Sequence, residues 1–73
     1  MTIEELKVFE DRTVVLRLTD GEVLTANVAF VDREYEDIIV DVLETTQPHH
    51  YKVPNAAYAI PVAEIVSVEP VAR

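Results

Sequence analysis

The chain has 73 residues and a mass of 8.2 kDa, which is enough for one small domain with a modest core and excludes a multidomain enzyme. A hydrophobic content of 49% predicts a folded chain, although 14 acidic against 6 basic residues give a net charge of -8. This balance is the reverse of the basic surface typical of nucleic-acid-binding proteins. Because the chain has no cysteine, no disulfide can supplement the small core, and we expect oligomerisation to do so.

The N-terminal segment carries charges among its apolar positions. Glu4, Glu5, Lys7 and Glu10 interrupt it, which is unlike the apolar region of a signal peptide. The longest uncharged run, residues 53–63, is much shorter than the roughly 18 apolar residues that span a bilayer. We therefore expect a cytoplasmic protein without a membrane partner.

A short helix is predicted at the N-terminus. Thr2 and Glu5 have the spacing of a capping box, and the apolar residues after them recur at helical intervals. The pattern predicts a helix over residues 2–10, which Asp11 and Arg12 end.

Two strands joined by a tight turn are predicted next. Apolar and polar residues alternate over residues 13–19 and again over residues 22–31, and Asp20 and Gly21 between them favour a hairpin turn. The predicted inner face of the second strand consists of Leu24, Ala26, Val28 and Phe30.

Three further short strands complete the predicted fold. The third covers residues 37–44, with Ile38, Val40 and Val42 on its inner face, and residues 45–55 form a loop or a loose extension of the strands beside it. Two short strands, residues 56–60 and 65–68, follow on either side of Pro61. One helix followed by five short antiparallel strands indicates an all-β (mainly β) small barrel over about residues 12–70, in a single domain.

The fourth predicted strand lies in a segment that lacks the charges with which soluble proteins protect sheet edges. Residues 53–63 contain no charged side chain, so this strand is suited to pairing with another chain and closing a ring. The predicted interface lies in the last two strands and comprises Ala56, Ala57, Tyr58, Ala59, Ile60, Ile65, Val66 and Val68.

The segment VVLRLTDGEVLTANVAFVD resembles the first motif of the Sm-like superfamily, which includes the LSm and Hfq ring proteins. Alternating apolar residues precede Gly21, and Val28 and Asp32 follow at the offsets of the motif, while Ala26 takes the bend position that is usually glycine. The resemblance covers nearly the whole chain. It implies an SH3-type small barrel with an N-terminal helix and five bent strands, assembled into a homo-oligomeric ring of about five to seven subunits.

The resemblance also implies a possible RNA pocket, in which this sequence departs from the family pattern. Tyr35 is placed to stack on a base, whereas Asp37 stands where RNA-binding members carry asparagine, and a carboxylate cannot donate a hydrogen bond to a base. Pro61 and Val62 replace the usual Arg-Gly pair, and the Tyr-Lys-His run of Hfq is absent there. Two functions remain open: an RNA-binding or RNA-chaperone-type ring with an acidic, altered pocket, and an acidic protein-interaction or scaffold ring that does not bind RNA.

The remaining candidate residues favour neither catalysis nor metal binding. Ser67 lies in a predicted strand without a nucleophile motif, and the neighbouring His49 and His50 would point to opposite sides of an extended segment. We expect no enzymatic activity, no cofactor and no metal site. A cluster of carboxylates is suited to a hard cation or a basic protein partner, although a solvated acidic face is favoured; its members are Glu34, Glu36, Asp37 and Asp41.

Overall fold

The structure, a computed structural model, describes residues 1–51 and 57–71, apart from the side chain of His50. A helix, α1 (Ile3–Lys7), precedes five strands: β1 (Thr13–Leu18), β2 (Val23–Asp32), β3 (Asp37–Thr45), β4 (Ala57–Pro61) and β5 (Ile65–Pro70). Short 3-10 turns cover Pro48–His50 and Val62–Glu64. The predicted mainly β fold, with one short helix and five antiparallel strands, is confirmed.

All five strands belong to one antiparallel sheet in the order β4-β3-β2-β1-β5. The predicted hairpin joins β1 to β2, and Gly21 adopts a φ of 90°, a left-handed conformation that favours glycine. Within the described ranges, β4 pairs only with β3 and β5 pairs only with β1. The two end strands therefore each keep one edge without a described neighbour.

The capping box predicted for α1 is confirmed. The Thr2 amide donates to Glu5 Oε1 at 3.0 Å and the Glu5 amide donates to Thr2 Oγ1 at 3.2 Å. The helix is shorter than the predicted residues 2–10 and ends at Lys7. After it, the Glu10 amide bonds to the carbonyl three residues back, and Asp11 turns to a φ of 64°, so these residues form tight turns instead of α-helix.

The core lies between α1 and the inward face of the curved sheet. The largest buried apolar side chains come from the helix and the first three strands, and include Leu6, Leu16, Leu24 and Ile38. The predicted inner face of β3 is buried at Ile38 and Val40 and half-buried at Val42.

The prediction that Phe30 belongs to the core is wrong, because a β-bulge interrupts β2. Val28 pairs with Val40 and Phe30 pairs with Ile39, which leaves Ala29 as an extra residue. A bulge reverses the faces on which the following side chains lie. Val31 is consequently buried, whereas Phe30 is 51% exposed.

Two further register shifts each leave a large apolar residue at the surface. Leu43 is the extra residue of β3 opposite Thr25 and Ala26, and Val66 is the extra residue of β5 opposite β1. Leu43 is 59% exposed and Val66 is 58% exposed. The bulges thus determine which apolar side chains of the sheet meet solvent.

Candidate functional site

Three of the four residues predicted to form the altered RNA pocket meet at one end of the β3–β4 pair. Asp37 opens β3 and lies opposite Pro61, the last residue of β4. Val62 follows directly, and its amide donates to the carbonyl of Glu36 at 2.9 Å. The structure therefore brings Asp37, Pro61 and Val62 together.

Tyr35, the fourth predicted residue, lies in the turn between β2 and β3. Its amide donates to Asp32 Oδ1 at 3.2 Å, and this carboxylate also accepts the Glu34 amide at 2.9 Å. The Tyr35 side chain is 74% exposed. It lies near the same end of the sheet as the other three and is open to solvent.

The chemistry of this end of the sheet is acidic. Asp37 pairs across the ladder with Asp32, and like charges directly opposite each other destabilise a sheet. Asp37 Oδ1 is shielded from solvent and has no hydrogen-bond donor among the described residues, a situation that costs about 1–3 kcal/mol for a buried polar group. Such a site attracts cations and repels phosphate.

A cleft of about 360 Å³ adjoins this site where the start of α1 approaches the β2–β3 turn. Arg33 lines the cleft, and its Nη1 lies 3.6 Å from Glu4 Oε1. Both side chains are largely exposed, so the pair adds little stability. The Glu4 carboxylate nevertheless offsets part of the positive charge of Arg33, so Arg33 attracts a phosphate less strongly.

The predicted interface residues divide into exposed and core side chains. Ala57, Ala59 and Val66 are exposed, while Tyr58 and Val68 are half-buried and Ile60 and Ile65 are buried in the core. Ala56 lies outside the described residues. The exposed members and the backbone edges of β4 and β5 are thus the parts that another chain can contact.

A second polar cluster, which the sequence interpretation missed, surrounds Glu22. This residue is 1% exposed, and its carboxylate accepts a hydrogen bond from the Thr45 hydroxyl. Burial, followed by a hydrogen bond with Glu22, raises the pKa of the Tyr51 phenol. The Tyr51 ring packs edge-to-face on Tyr58 with 4.9 Å between centroids. Glu22 lies two residues before the inward-facing Leu24, so the alternation of this segment places both side chains on the same face. The inward position of Glu22 could have been predicted from this spacing.

A cleft of about 270 Å³ opens beside the Glu22 cluster, between β4 and the β1–β2 turn. Its walls combine the rings of Tyr51 and Tyr58 with the carboxylates of Asp20, Glu22 and Glu64. In residues 1–51 and 57–71, no three His, Cys, Asp or Glu side chains are grouped as metal ligands. His49 and His50, which were considered above as metal ligands, lie in the 3-10 turn Pro48–His50. The structure does not describe the side chain of His50.

Comparison with known proteins gave no match to any family model, curated protein or solved structure. Across the described ranges, no helix is long and apolar enough to cross a membrane.

Proposed function

We propose that the protein is a self-assembling scaffold of the Sm-like type, in which copies form a homo-oligomeric ring of about five to seven subunits that binds protein partners rather than RNA. The observation that carries the proposal is the pair of open sheet edges. β4 and β5 stand at opposite ends of one sheet, and each lacks a second neighbour within the described residues.

The side chains along these edges support pairing between copies. The outward residues of β4 are Ala57, Ala59 and Pro61, which are small or apolar and exposed. β5 exposes Val66 at its bulge. Soluble proteins usually protect open edges with charged side chains, so the lack of charge along β4 favours addition of β5 from the next copy.

The charge at the altered pocket supports a protein partner over RNA. Asp37 and Asp32 face each other at the end of the sheet, and Arg33 is next to Glu4. The whole chain carries a net charge of -8, and a ring repeats this charge in every subunit. Phosphate binding is unfavourable there, whereas a basic protein surface is attracted.

Native mass spectrometry and light scattering test the assembly directly. We expect a single oligomer for the natural sequence and a shift toward monomer for Val66→Lys, because a lysine at the edge of β5 opposes pairing. Val8→Lys is the matched control, since Val8 is 68% exposed and lies just after α1. A monomer for the natural sequence, or equal dissociation of both variants, contradicts the proposal.

An RNA-binding ring is the second candidate, supported by the meeting of Asp37, Pro61 and Val62 beside the exposed Tyr35. If this pocket is an inherited RNA site inactivated by its carboxylate, Asp37→Asn gains binding to uridine-rich RNA that weakens steeply with salt. Glu69→Gln, which removes the same charge at an exposed position of β5, is the control. RNA bound by the natural sequence favours this candidate over the scaffold.

A further inference from the structure

An exposed apolar row crosses the outward face of β2, β3 and β4. Phe30 pairs with Ile39, and Ile39 pairs with Ala59, so the three residues lie side by side across neighbouring strands. Phe30 and Ala59 are exposed and Ile39 is half-buried. We call this set the apolar row; it exists because the extra residue Ala29 turns Phe30 outward.

Carboxylates flank the apolar row on both sides along β3. Asp37 and Asp41 lie two residues before and after Ile39, which puts all three side chains on one face at a spacing of about 6.6–7 Å. The ladder partners of Asp41 are Asn27 and Ala57, which are uncharged.

The cations of the described residues do not neutralise these two carboxylates. The ion pairs found there join Lys7 to Glu10 and Arg33 to Glu4. Lys7 also lies 5.9 Å from the centroid of the Phe30 ring, at the helix side of the row. The face therefore offers an apolar centre between two negative charges.

We propose that the outward face of β2–β4 binds an extended segment of a basic partner protein, with a large apolar residue on the apolar row and Lys or Arg two residues to either side. Side chains on one face of an extended chain repeat every second residue. This spacing matches Asp37, Ile39 and Asp41, so charge and apolar complementarity coincide. The inference rests on the proposed scaffold function and specifies its partner.

Fluorescence anisotropy with a labelled peptide that repeats Lys-Thr-Leu-Thr-Lys tests this assignment. We expect binding that weakens as salt rises, and weaker binding of a peptide of equal composition with its lysines adjacent. Phe30→Ser is expected to weaken binding about tenfold, and Asp41→Asn about threefold. Val8→Ser and Glu69→Gln, at exposed positions outside β2–β4, are the matched controls and should leave binding unchanged.

Equal binding of the two peptides, or normal binding by Phe30→Ser, overturns the inference. A Phe30→Ser variant that dissociates the oligomer, with no peptide binding by the natural sequence, assigns the face to a second copy and also overturns it. Native mass spectrometry on the same samples separates the two proposals. If the protein forms a ring that does not bind the peptide, only the peptide site is refuted. If the protein is a monomer that binds the peptide with the expected effects of salt and of the variants, only the ring is refuted.

Discussion

Glu22 illustrates how a charged residue is accommodated in a small core. It immediately follows the hairpin turn, where its amide donates to Asp20 Oδ1 at 2.9 Å. Its carboxylate is buried and takes a hydrogen bond from the Thr45 hydroxyl. A buried carboxylate is tolerated only while hydrogen bonds replace lost water, so this donor supports the junction of β1, β2 and β3.

Thr45→Val is therefore expected to destabilise the protein by about 1–3 kcal/mol, because it removes the hydroxyl that donates to the buried Glu22 side chain and accepts the Gln47 amide, while keeping the side-chain shape. Urea denaturation measures the change. Thr25→Val serves as the control, since Thr25 is a half-buried strand residue outside the Glu22 cluster. Equal stability of the two variants would show that the hydroxyl of Thr45 contributes nothing specific.

At the scale of elements, the Glu10 carboxylate links α1 to the sheet, because it contacts a residue of each. Glu10 Oε2 accepts the Val31 amide at 2.9 Å and lies 3.1 Å from Lys7 Nζ. The backbone hydrogen bond, followed by the lysine, lowers the pKa of Glu10 below 4.5. The carboxylate thus stabilises the fold above that value, and this contribution disappears as pH falls through the lowered pKa of the folded state.

Glu10→Gln is expected to lower the urea midpoint at neutral pH, because the ionised acceptor is lost. The difference from the natural sequence should shrink as the pH is lowered below 4.5, the ordinary pKa of the group. Glu44→Gln, at an exposed position of β3, controls for the change in net charge. A difference that persists undiminished in acid would assign the effect to packing.

The strands were predictable from sequence, but the bulges within them were not. Alternation located β1, β2 and β3 and the buried positions Ile38 and Val40, because it reports only the local chain. Whether Ala29 is an extra residue depends on β3, which contributes nothing to the alternation of β2. For the same reason, the sequence did not show that Phe30 faces outward, and the apolar row could not be predicted.

The candidate pocket was predicted in part. The resemblance to the Sm-like motif selected Asp37, Pro61 and Val62, which the structure brings together through the β3–β4 register. The Glu22 cluster was not predicted because its members are distant in sequence, and Thr45 lies at the end of β3. Hydrogen bonds across that separation follow from the pairing of β2 with β3 and have no local pattern.

For the whole molecule, the net charge of -8 sets the response to salt. Mutual repulsion opposes both folding and association, and salt screens it over a distance of about 8–10 Å at moderate ionic strength. Raising NaCl from about 0.01 M to about 0.5 M is expected to raise the urea midpoint.

The variant Glu34→Lys tests the cause of this response. It exchanges one negative for one positive charge, which changes the net charge from -8 to -6. Its urea midpoint should rise less steeply with NaCl than that of the natural sequence. An equal or steeper dependence would mean that specific ion pairs or salting-out, rather than general repulsion, govern stability.

The bulge at Ala29 also has a consequence for how this surface can change over evolutionary time. A single-codon deletion there would place Phe30 directly after the inward-facing Val28, so strict alternation would keep Phe30 outward and Val31 inward without the bulge. The aromatic ring would therefore not have to enter the filled core, which would be unfavourable. Loss of the extra residue is therefore compatible with the exposed ring, and the length of β2 can change at this point while the apolar row remains in place.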